Sequence, residues 1–191
     1  MADFDNLPSG PFDAILADPP WEYRNARGLQ GLAADQYETL SIEVLKRLPV
    51  ARLAAERCVL LMWCTWPKLP QGIELMRAWG FEHKTGLPWV KTYGEGKPVC
   101  GVGWWVRGAS EPLLIGTRGS PGVPPKSDRV VGLIGELILT TPRGRHSQKP
   151  VEVHSFAERL TAHIGDRRLE LFARDFRTGW TCWGRDLEAF L

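Results

Sequence analysis

Phe12-Asp13-Ala14-Ile15-Leu16-Ala17 runs straight into Asp18-Pro19-Pro20-Trp21, and that junction leaves few folds open. The first six residues are short and mostly apolar, which suits a buried strand. Pro19 and Pro20 have fixed φ and no backbone donor, so neither a ladder nor a helix runs through them. An acid, a stiff backbone carbonyl and an aromatic ring are thereby held together at the carboxyl end of a strand. In an open α/β sheet that edge is where ligands bind.

The rest of the chain alternates strand and helix signals, the pattern of an α/β domain. Residues 1–11 form a polar lead-in, and Glu22 to Gly31 reads as a lid-like loop. Ile42 to Glu56 predicts two helical pieces divided at Pro49, with Ser41 as a cap. Cys58 to Cys64 is a continuous apolar run, hence a central strand. Gln71 to Trp79 predicts a helix stopped by Gly80, and Phe81 to Lys91 another strand. Residues 92–110 make a long loop, with Trp104, Trp105 and Arg107 suited to stacking and phosphate contact; an aromatic-pinned surface loop is the alternative. Pro112 to Gly116 predicts a strand preceded by Glu111. Arg118, Lys126 and Arg129 on the next loop, with Arg143, Arg145 and His146, form either a phosphate-contacting rim or a solvated surface. Val130 to Thr141 is apolar and predicts a strand near Leu137 to Leu139. Val151 to Ile164 predicts a helix, and Leu169 to Arg174 a strand.

The Asp18–Trp21 group suits chemistry on an exocyclic amine of a base. Such an amine conjugates into its ring and is a poor nucleophile. The Asp18 carboxylate and the Pro19 carbonyl can accept its two N–H bonds, which favours a tetrahedral nitrogen with its lone pair aimed at an electrophilic methyl group. Trp21 can stack on the ring, a contact worth about 1–3 kcal/mol. The competing reading is a turn after a core strand, with Trp21 as packing. Lys149 precedes a proline-initiated helix. A lysine there opposes the helix dipole, so an anion beside it would account for its position.

With these segments in hand, the chain resembles the adenine-specific amino-methyltransferases. More narrowly, it is similar to the family of the catalytic subunit of eukaryotic mRNA adenosine methyltransferase and its bacterial and phage relatives, from about Phe12 to Leu187. The resemblance implies a Rossmann-like α/β fold in a single domain over 1–191, with a largely parallel twisted sheet and helices on both faces. The motif order is permuted: the catalytic motif comes first and the cofactor strand last. It implies S-adenosylmethionine as cofactor and adenine in nucleic acid as substrate, DNA by preference and RNA as alternative. By residue, it implies catalysis at Asp18, Pro19, Pro20 and Trp21. Lys149 would bind the methionine carboxylate, Arg174 and Asp186 the ribose, and Asp18 would also meet the methionine ammonium. Arg185 stands where the family usually has an Asn acceptor, which it cannot replace. Tyr23, Tyr37, Trp105, Arg107, Glu111, Arg118 and Lys126 make up the candidate substrate-binding set. A catalytically silent nucleic-acid-binding homologue is the reading from another class, and a homodimer would widen a small footprint.

Composition bears on the remaining classes. The 191 residues suffice for one core, and a net charge of +2 says little about partners. No apolar run is long enough to span a membrane, and the amino terminus has no signal-peptide pattern. The four cysteines form no CxxC pair, so the expectation is reduced thiols, a cytoplasmic protein and no metal. Nine tryptophans are more than a core of this size needs.

Overall fold

In the computed structural model, residues 6–23, 39–92, 97, 105–129, 149–184 and 187 are described. The strands are β1 (Phe12–Ala17), β2 (Ala54–Trp63), β3 (Glu82–Val90), β4 (Ser110–Arg118), β5 (Arg168–Leu171) and β6 (Thr181–Trp183). They form one six-stranded sheet in the order β3-β4-β2-β1-β5-β6. β1 pairs in parallel with β2 and β5, and β5 with β6. β4 alone is reversed, antiparallel to both β2 and β3. The largely parallel α/β sheet expected from the sequence is therefore present.

Helices cover both faces because the central strands are apolar on both. Ile15, Ala17, Leu60, Met62, Leu169 and Leu171 join a core that includes Leu45 of α1 (Ile42–Arg47) and Leu75 and Met76 of α3 (Leu69–Ala78). Leu16, Val59, Leu61 and Trp63 point the other way, onto Val153, Phe156 and Ala157 of α4 (Glu152–Thr161). Alternation along each strand follows from the two-residue period of the pleat. Burying one such side chain is worth about 1.5–3 kcal/mol.

Several boundaries differ from the sequence expectation. The second helical piece, α2, is only Val50–Leu53, and Ala54 to Arg57 already belong to β2. The cause is pairing across the sheet: Ala54 lies opposite Phe12 through an irregularity in the β1–β2 register. β4 starts at Ser110, so Glu111 is a strand residue opposite Trp89. β5 stops at Leu171, because Phe172 turns to φ 63. β6 was not foreseen; three residues are too few to show a period. The strand expected near Leu137 to Leu139 lies outside the described residues.

The topology fixes where a ligand can enter. After β1 the chain lays β2, then β3 at the edge and β4 between them, all on one side; it then returns to lay β5 and β6 on the other side of β1. β1 and β5 therefore flank a topological switch point, and a crevice opens above their carboxyl ends. At the opposite edge, Asp13 accepts from the Arg167 guanidinium at 3.0 and 2.8 Å, tying the start of β1 to the start of β5. The Arg167 bonds hold the Asp13 carboxyl below its ordinary range.

Candidate active site

Asp18 is the first residue past β1, and its amide donates to the Leu171 carbonyl at 3.4 Å. This contact sets the acid at the switch point. The two prolines then carry the chain across the crevice. The Pro20 carbonyl accepts from Leu40 at 2.8 Å, and the Leu40 carbonyl accepts from the Glu22 amide at 3.2 Å. The Pro19 carbonyl accepts from the Trp21 amide at 2.9 Å. A carbonyl oxygen has two lone pairs, so this bond uses one acceptor position of the two.

Trp21 needs a correction. It is 6% exposed and sits in the core with Leu45 and Leu48. Its indole N–H donates to the Trp63 carbonyl at 3.2 Å. A ring so enclosed offers a base no open face, so its part is to lock the turn. The packing alternative weighed from the sequence describes it better than the stacking one.

The other half of the site comes from the end of β5. Phe172 is at φ 63, a region that costs a bulky residue free energy and is found mainly where function demands it. The turn brings the Ala173 amide to the Trp183 carbonyl at 3.0 Å and sets Phe172 edge-on to the Trp183 ring, 5.8 Å between centroids. Gly184 lies against this turn: a Cβ there would stand 2.0 Å from the Ala173 carbonyl oxygen and 2.7 Å from its nitrogen. The closing Trp-Gly thus has a steric reason. Gly184→Ala is expected to cost about 1–3 kcal/mol through overpacking, read as a lower denaturant midpoint with an unchanged m-value.

Lys149 reaches into the same crevice from the segment before α4. Its ammonium is 2.9 Å from both Asp18 carboxylate oxygens and 3.4 Å from Glu111 Oε2. Glu111 Oε1 in turn meets Lys91 at 2.5 Å. Two carboxylates and two ammonium groups thus alternate from β1 to the end of β3. Both lysines also lie over indole rings, Lys149 at 5.8 Å from the Trp63 centroid and Lys91 at 5.0 Å from that of Trp89.

Burial pushes the Asp18 carboxyl above its ordinary value, against the pull of Lys149; the neighbouring Glu111 charge adds to the rise. Burial also opposes ionisation of Glu111, but its two lysines outweigh that and hold it below the usual carboxylate range. The two acids are therefore driven apart, with Asp18 the one poised to respond to a ligand.

Asp18, Lys149, Glu170, Phe172 and Arg174 line one cleft. Asp18, Lys149 and Arg174, assigned from distant parts of the chain, are thus brought together. Glu170 was missed. Its carboxylate is fixed by His154 Nε2 at 2.8 Å, and a lone acid inside an apolar strand gives no sequence signal of its role. Tyr23 packs partly buried against the core, its hydroxyl 2.5 Å from Thr65 Oγ1. Trp105 and Arg107 are exposed on the segment that precedes β4.

Arg118 is placed differently from expectation. It pairs with Cys58 at the amino end of β2, whereas Asp18 lies beyond the carboxyl end. Its guanidinium is held by the Ala51 carbonyl. Antiparallel β4 carries Arg118 away from the site, so it is not part of a rim around Asp18. Lys126 lies in a one-turn helix, Lys126–Asp128, on the loop that leaves from that far edge. Tyr37, Trp104, Arg143, Arg145, His146, Arg185 and Asp186 lie outside the described residues.

Among the described residues, no group of His, Cys, Asp and Glu is arranged to hold a metal, and no helix is long and apolar enough to cross a membrane.

The family model described as MT-A70 matches residues 12–186. The chain belongs to the MT-A70 family. It is 29% identical to the type II methyltransferase M.MunI of Mycoplasma sp over 202 residues, covering 96% of this chain and 81% of that protein. It is 31% identical to the N(6)-adenine-specific methyltransferase METTL4 of Mus musculus, over 94% of this chain and 38% of the relative. It is 28% identical to the N(6)-adenosine-methyltransferase catalytic subunit METTL3 of Homo sapiens, over 94% of this chain and 29% of the relative. This MT-A70 domain thus spans most of the first relative and well under half of the other two.

Proposed function

We propose that this chain is an S-adenosylmethionine-dependent methyltransferase acting on the exocyclic amine of adenine in DNA. The observation that carries the reading is the 2.9 Å contact between Asp18 and Lys149, which brings an acid from the first motif and a lysine from the last into one crevice. The cleft fits the cofactor: Lys149 and Arg174 offer cations to a carboxylate and to ribose hydroxyls, and Asp18 and Glu170 offer acceptors. The cofactor supplies an electrophilic methyl on a sulfonium.

The chain's own residues do the rest. Lys149 holds the methionine carboxylate, which loosens its hold on Asp18. Asp18 and the Pro19 carbonyl then accept the two amine N–H bonds. The nitrogen is drawn toward tetrahedral geometry, and Asp18 offsets the positive charge that develops on it. Once the methyl has arrived, the cationic nitrogen releases its extra proton to the Asp18 carboxylate it donates to, or to water, so no separate general base is required. In duplex DNA the adenine must first be flipped out, at a few kcal/mol.

DNA is favoured over RNA because a relative of which the chain spans 81% is named a type II methyltransferase. The test is labelled methyl transfer to matched DNA and RNA panels, followed by nucleoside digestion. N6-methyldeoxyadenosine is expected, and label confined to RNA would replace the substrate assignment. A silent homologue would show no heat on titration with S-adenosylmethionine.

A further inference from the structure

β2 does not end in a plain turn. Past Trp63 the chain enters a one-turn helix, Trp66–Lys68, which projects from the edge of the sheet that carries Asp18. Asp18 follows Ala17, which lies opposite Met62. Trp66 is thus three residues past the level of Asp18 on the neighbouring strand, roughly 10 Å along the chain at strand rise.

Trp66 is unlike the core tryptophans. It is 49% exposed, whereas Trp21, Trp63, Trp79 and Trp89 are buried. An exposed indole is usually free to turn. This one is pinned: its N–H donates to Ser110 Oγ at 2.9 Å, across to the first residue of β4. Its polar atom is thus satisfied and its ring orientation fixed. The same turn carries a cation, with Lys68 Nζ 5.3 Å from the centroid of Tyr23, whose hydroxyl meets Thr65. Trp105, 98% exposed, stands five residues before Ser110. A half-exposed indole held by its N–H, with a cation two residues on in the same turn, matches a nucleobase and its phosphate. Fixing the ring in advance lowers the ordering cost of binding.

We propose that Trp66 is the stacking plate for a base next to the target adenine, in an unpaired stretch of the strand being methylated. This rests on the methyltransferase reading of the neighbouring cleft. Trp66 touches no reacting atom; it positions the polymer.

The test uses the full chain and a fluorescein-labelled, adenine-containing single-stranded DNA, with the same sequence as a duplex for comparison. Trp66→Ala is expected to weaken binding of the single strand about fivefold or more, with a smaller effect on the duplex. Trp66→Phe should recover most of the loss. KM for the single strand should rise with little change in kcat, while melting temperature and cofactor-binding heat stay at wild-type values. Equal affinities of wild type and Trp66→Ala for the single strand would overturn the proposal, as would a wild type that does not bind it. A drop in sedimenting mass on substitution would overturn it in favour of an interface between copies. A wild type that binds the single strand through Trp66 but transfers no methyl would instead defeat the methyltransferase reading and leave the plate standing.

Discussion

Asp18→Ala is expected to lower methyl transfer about 10²–10³-fold, the cost of removing one preorganised group that meets developing charge. The alanine leaves the Pro19 carbonyl as the lone acceptor for two N–H bonds and leaves the positive charge on nitrogen without a counter-charge. Folding should survive. Burial holds the Asp18 pKa above its ordinary 3.8, so the ionised form costs stability at neutral pH, and that cost is relieved as pH falls through the raised value. Removing the acid removes the cost. Lys149 keeps Glu111 as a partner at 3.4 Å. Single-turnover rates at saturating cofactor, with thermal melts alongside, are the measurement. A loss of rate with an intact melt is the expected pair.

Lys149→Met is expected to act twice. First, cofactor affinity should fall about 10–100-fold, since a hydrogen bond to a charged group is worth about 1.5–3 kcal/mol. Calorimetry with S-adenosylhomocysteine reads this directly. Second, the acid limb of the pH–rate profile should move to higher pH. Lys149 is the chief influence lowering the Asp18 pKa, and without it only the weaker pull of Arg174 opposes burial and the Glu111 charge. Asp18 must be ionised to accept both the amine and its charge, so a higher pKa means activity is lost sooner as pH falls. A lysine serving only to anchor α4 would leave the profile where it was.

Much of this was legible in the chain. Asp18-Pro19-Pro20 announces a strand end because proline forbids the alternatives, and Lys149 stands out because it opposes a helix dipole. What sequence could not give was side-chain direction. Trp21 and Trp66 are both tryptophans at strand ends beside proline, yet one is buried and the other half-exposed. Tertiary packing, not local pattern, separates them. Arg118 was misplaced for a related reason. A basic loop after a strand lies at the site only if that strand runs parallel to β1, and the reversal of β4 has no signature in a nine-residue segment. Glu170 and Lys91 escaped notice because their partners, His154 and Glu111, come from other elements.

The central claim is that an acid from the amino-terminal part of the chain and a lysine and arginine from the carboxyl-terminal part form one site. A crystal structure with S-adenosylhomocysteine tests it most directly. The homocysteine end should lie against Lys149 and Asp18, and the ribose toward Arg174, above the carboxyl ends of β1 and β5. A ligand seated at the opposite edge, by Asp13 and Arg167, or touching Lys149 but out of reach of Asp18, would contradict the account.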